Sequence, residues 1–130
     1  MKPLSHSISD TDLLSFIDGW AALMEQEDYP GAFAYTDHTP EMDWSPSLLR
    51  DVVKAYGAAR PDQRVTLAGV PSDVAQRKEV TRWPENHLGE TGEIWYDLNI
   101  DGVASDLTAT FRIVRGSEGL SIVLNDIHVM

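Results

Sequence analysis

EIWYDLNIDGVASDLTATFRIVRGSEGLSIVLNDIHVM, residues 93–130, is the stretch that decides the fold. Residues 94–100 alternate: Ile94, Tyr96, Leu98 and Ile100 share one face, and Trp95, Asp97 and Asn99 the other. That period is the signature of a half-buried strand. Asp101-Gly102 follows, a pair suited to a type I′ turn, which needs positive φ at both central residues. The turn pairs Ile100 with Val103, and counting outward places Tyr96 opposite Leu107 and Ile94 opposite Ala109. Val103, Leu107, Ala109, Phe111 and Ile113 continue the apolar face. The same register sets Asp97 against Asp106 on the second face. Like charges across a ladder repel, so the two carboxylates are expected to splay into solvent.

Residues 116–119, Gly-Ser-Glu-Gly, make the second turn, with Arg115 opposite Leu120, Ile113 opposite Ile122 and Phe111 opposite Leu124. Beyond Leu124 the pattern breaks, and two readings stay open. Uninterrupted alternation turns Asp126 and His128 inward, side by side, because i and i+2 share a face. A bulge at Asn125-Asp126 instead restores Ile127 and Val129 to the core and turns the polar pair out.

Upstream the period changes from 2 to 3.6. Residues 1–8 read as a loose arm. Ser9 with Asp12 resembles a capping box, and Leu13, Phe16, Ile17, Trp20, Leu23 and Met24 then form a helical apolar stripe. Asp28, with Pro30 in the first turn, opens a second helix ending near Thr36, with Ala32 and Phe33 expected inside. Ser45-Pro46 opens a third, with Leu48, Leu49, Val52, Val53 and Tyr56 inward and Gly57 as its stop. The intervening residues 36–45 hold Asp37, His38, Glu41 and Asp43 but match no calcium loop, and read as a connector with Trp44 on the core. Residues 64–68 and 74–83 read as two further strands, the second charged as an edge would be.

The chain has 130 residues, no cysteine and a formal charge of -11. Its length suits a single domain, residues 1–130. Without cysteine there is no disulfide, thiolate metal site or cysteine nucleophile. The negative charge repels phosphate backbones, so nucleic acid is not an expected partner, whereas a basic protein is. No apolar run is long enough for a membrane span and no leader is evident, so a cytoplasmic location is the expectation. Glycine-rich phosphate loops, G-x-S-x-G and H-E-x-x-H are missing, and no cofactor or metal is called for.

Helices followed by antiparallel strands to the C-terminus define an α+β order. In that order, residues 9–130 resemble the NTF2-like superfamily, the cystatin-like cone. The resemblance implies N-terminal helices packed on a curved, mostly antiparallel sheet of about five strands. It also implies a pocket between the two, although the strand such folds often place between the second and third helices has only residues 36–44 to supply it. The blocks GEIWYDL, DLTATFRI and GLSIVLNDIHVM are similar to small uncharacterised bacterial proteins, which implies a bacterial source and no assigned activity. The scaffold hosts enzymes and binding modules alike, so it does not choose between them.

Two functions follow. One is a non-catalytic module for a small molecule or a protein partner, dimeric through its sheet face, with the outward Trp95 and Val123 as motive. Tyr96, Tyr56, Trp20 and Trp95 are its candidate binding residues. The other is a small-molecule isomerase, lyase or hydrolase, with Asp126 or His128 as base and Tyr96 or Tyr56 donating to an oxyanion.

Overall fold

The computed structural model describes residues 1–129. Three helices, α1 (Asp10–Glu25), α2 (Tyr29–Tyr35) and α3 (Pro46–Lys54), precede or interrupt six strands. These are β1 (Asp37–His38), β2 (Val65–Thr66), β3 (Lys78–Arg82), β4 (Glu90–Ile100), β5 (Val103–Arg115) and β6 (Leu120–Val129). They form one sheet ordered β1-β6-β5-β4-β2, with β3 also pairing β4. Every pairing is antiparallel except β1 with β6. The class is therefore α+β, with a curled sheet against the helices.

The helix signals work locally as read. Ser9 Oγ accepts from Asp12 N at 3.1 Å, Asp28 Oδ1 from Gly31 N at 3.0 Å, and Ser45 Oγ from Leu48 N at 3.0 Å. Each cap satisfies an amide that the first turn leaves without a partner. The third helix stops at Lys54, short of Gly57. Phe33 is only half-buried and stacks on His38, ring centroids 4.0 Å apart. Residues 36–45 supply β1, and Trp44 is buried, its indole N–H donating to Asn125 O.

The two turns hold, but the strands between them slip. Ile100 pairs with Val103 as expected, whereas Tyr96 pairs with Ala109 and not with Leu107. Between Asn99–Ala104 and Asp97–Thr108, β5 carries two more residues than β4. Side chains stabilise this excursion. Ser105 Oγ donates to Leu98 O at 2.6 Å, and Gln76 Nε2 donates to Leu98 O and Ser105 O. A slip of two preserves the face of every side chain, where a slip of one would invert them all. Ile94, Tyr96, Leu98, Leu107, Ala109, Phe111 and Ile113 therefore remain buried.

On the other side of β5, Arg115–Leu120, Ile113–Ile122 and Phe111–Leu124 pair as counted. Then Thr110 faces Asp126, so Asn125 is an inserted residue and the phase switches. Ile127 returns to the core. Of the two open readings the bulge therefore holds: it turns Asp126 and His128 to the outer face, opposite Thr110 and Thr108, although Val129, also expected back in the core, is exposed.

Residues 1–8 include a paired segment rather than hanging loose. Leu4 and Leu120 exchange two backbone hydrogen bonds of 2.8 Å. Gly119 makes room for this contact. At its φ of +153° a Cβ would lie 2.2 Å from Leu4 O.

Candidate functional site

The two faces of β4–β6 have different contents. On the inner face Trp20 from α1 is fully buried and meets Phe111 edge-on, centroids 5.2 Å apart. Leu13, Ile17 and Met24 beside it are also without exposure. Trp20, a candidate binding residue, is thus a packing residue here. Tyr96 is buried in the same layer, and its hydroxyl donates to Asp18 Oδ1 at 2.5 Å. Burial above all, and then the Asp18 carboxylate, push the Tyr96 phenol well above its ordinary range. The ammonium of Lys78 lies 4.6 Å from its ring centroid. Tyr96 is therefore a wall of the core with its tip at the α1–β3 seam.

The outer face carries the polar constellation. Register puts Glu79, Trp95, Thr110 and Asp126 in one cross-strand row, and Asp97, Thr108 and His128 in the next. Trp95 is half-buried, with the Arg77 guanidinium 4.0 Å from its ring centroid. Asp97 was expected in solvent opposite Asp106. It is instead 5% exposed and faces Thr108. Its carboxylate accepts from Thr108 Oγ1 at 2.6 Å, Arg77 N at 2.7 Å and the Trp95 indole at 2.8 Å. Asp106, displaced by the excursion in β5, accepts from the Tyr56 hydroxyl at 2.5 Å. Desolvation first, and then Asp106, raise the Tyr56 phenol above its ordinary value.

Arg77, Trp95, Asp97, Asp106 and Thr108 line a cleft of about 340 Å³ on this face. A second depression, of about 570 Å³, lies further along, floored by Val114 and Val123 and flanked by Leu88, Glu90 and Arg112. Asp126 and His128 stand beside the first cleft. Their Oδ2 and Nδ1 are 3.0 Å apart, although the contact lacks the geometry of a hydrogen bond. Both side chains are more than a third exposed.

The structure thus brings Trp95, Asp126 and His128 onto one face, joins Tyr56 to it through Asp106, and keeps Trp20 and Tyr96 on the other. Asp97, Thr108 and Arg77 were missed as site residues. The Asp97–Asp106 clash was the available signal. Arg77 had none, because its approach to Trp95 depends on the residue before β3 continuing alongside β4, where Asp97 N donates to Arg77 O. Among the described residues no group of three or more histidine or acidic side chains converges as a metal site, and no helix is long and apolar enough to cross a membrane.

Three helices against a curled, mostly antiparallel sheet, with a polar cleft on the sheet's far side, define a small α+β domain. The chain belongs to the family described as Domain of unknown function (DUF7668), which matches residues 21–130. No curated protein matches it, and no solved structure does.

Proposed function

We propose that this protein is a non-catalytic binding module of the NTF2-like cone type that engages its ligand or partner on the outer face of the sheet. One observation carries the reading. The space between helices and sheet is occupied by Trp20, Phe111 and their neighbours, whereas the outer face offers an open cleft walled by an indole and two carboxylates. Binding sites are concave and combine apolar surface with a few placed polar groups, and the Trp95 cleft has that make-up.

A fragment screen read by 15N–1H NMR tests this. Hits are expected to shift the amides of Trp95, Asp97 and Thr108 and the Trp95 indole. Hits confined to Trp20, Leu13 and Phe111 would refute the outer-face reading.

The alternative is an isomerase, lyase or hydrolase, favoured by the Asp126–His128 contact. It has lost the interior position its base was to occupy, since the Asn125 bulge turns both residues out. Fragment hits clustered on Asp126 and His128, with turnover lost in Asp126→Asn, would support it.

A further inference from the structure

We infer that the outer sheet face docks an arginine-bearing segment of a basic partner protein, with a partner guanidinium seated in the Trp95 cleft. The inference rests on the outer-face reading above and adds the chemistry of the occupant.

Charge complementarity is the first argument. The cations of this face are already matched: Arg112 sits 2.6 Å from Glu93 and 3.9 Å from Glu90, and Arg77 sits 3.4 Å from Glu79. Among the described residues, no lysine or arginine pairs with Asp97, Asp106 or Asp126. Asp97 matters most, because it is buried. A carboxylate taken out of water is costly unless a countercharge joins its hydrogen bonds. An arriving cation meets that deficit, and the net charge of -11 steers it inward.

The kind of cation follows from Trp95. Its ring takes a guanidinium as neighbour, that of the half-exposed Arg77, whose head an arriving guanidinium displaces. A planar guanidinium stacks on an indole and forks onto a carboxylate at once, whereas an ammonium acts as a point charge. Asp106 lines the cleft where that fork would be met, and Asp126 lies two strands over in the Trp95 row.

The source of the cation follows from extent. The Trp95 cleft, about 340 Å³, is near the lower limit for a small-molecule site. The second depression lies on the same face with an apolar floor of Val114 and Val123. A single small cation fills one of the two, and an extended segment reaches both.

The test uses fluorescence anisotropy of a labelled nona-arginine peptide, with NMR mapping on the full chain. Saturable, salt-sensitive binding is expected, with shifts at Trp95, Asp97 and Thr108. Asp106→Asn and Asp126→Asn should each weaken it by up to about fivefold, the loss expected of one exposed ion pair. Both positions are partly exposed, so these variants remain informative if Asp97→Asn fails to fold. Trp95→Leu should weaken nona-arginine more than nona-lysine.

Equal binding of nona-lysine would overturn the guanidinium assignment, as would shifts confined to acidic helix positions such as Asp10 and Asp12. Free arginine saturating the same resonances as tightly as the peptide would make this a small-molecule site instead. A dimer occluding the face, seen by light scattering, would replace the basic partner with a second copy. Fragment hits at Trp95 together with no peptide binding would remove this inference and leave the binding module standing.

Discussion

Strands β4, β5 and β6 show one set of residues to the helices and another to the outside, and the two faces are stabilised by different physics. The inner face is a packed hydrocarbon layer closed by Trp20 and Phe111. The outer face is a hydrogen-bonded polar layer in which Thr108 is no more exposed than Phe111. Burial alone therefore does not distinguish them. The inner face tolerates no gap, because its stability is the removal of apolar surface from water. The outer face is sensitive to a lost partner, because Asp97, Thr108 and the Trp95 indole each depend on another for their hydrogen bonds.

The comparison breaks first at Trp20. Trp20→Ala should cost about 3–5 kcal/mol, the range for an aromatic side chain deleted from a packed core. Urea denaturation measures it, and a loss under about 1.5 kcal/mol would mean that the inner face is loosely packed.

Asp97→Ala is the outer-face equivalent. It leaves the Trp95 indole and the Arg77 amide without an acceptor and the Thr108 hydroxyl with only Asp106 O, 3.3 Å away. A cost of about 2–3 kcal/mol is expected from these orphaned donors. Asp97→Asn should cost less, since its carbonyl keeps one or two of them. The same denaturation series reads both, and equal losses would show that charge matters more than acceptance.

Alkaline titration sharpens the contrast between core and rim. All four tyrosines have raised phenol pKa values, with burial the leading cause in each. A phenol raised in the folded state stays protonated while the unfolded chain ionises. The unfolded state then binds fewer protons, and stability falls as pH rises. The stabilisation is complete below about 10, the unfolded reference, and is lost as pH climbs from there towards the folded values. Tyrosinate absorbance should therefore appear together with loss of the folded signal. Tyr96→Phe should reduce that pH dependence more than Tyr56→Phe, because Tyr96 is the more deeply buried.

The smallest effects belong to the rim. Trp95→Ala should cost about 1 kcal/mol, through the Arg77 stacking and one indole donor. Asp126→Asn and His128→Gln should each stay within about 0.5 kcal/mol, as solvent-accessible pairs do. A larger loss from either would mean that the 3.0 Å contact is structural.

By itself the sequence determined the helix N-caps, the two strand-joining turns and the faces of residues 94–100 and 107–113, but not Val103, which alternation places on the apolar face and which is exposed. These depend on groups within a few positions of one another: a serine oxygen over an amide three residues on, a glycine where φ is positive, an alternation with period two. It also exposed the two weak points, the Asp97–Asp106 repulsion and the broken phase after Leu124. Tertiary structure alone decided how those weak points resolved. The excursion in β5 is stabilised by Gln76, and the carbonyl of bulged Asn125 accepts from the Trp44 indole, 81 positions away. A bulge gives up ladder hydrogen bonds, and whether it forms depends on distant side chains that recover them. Local periodicity contains no information about those partners. For the same reason Asp97 could be read as a strand residue of one face, but its burial, its three donors and the guanidinium over Trp95 could not.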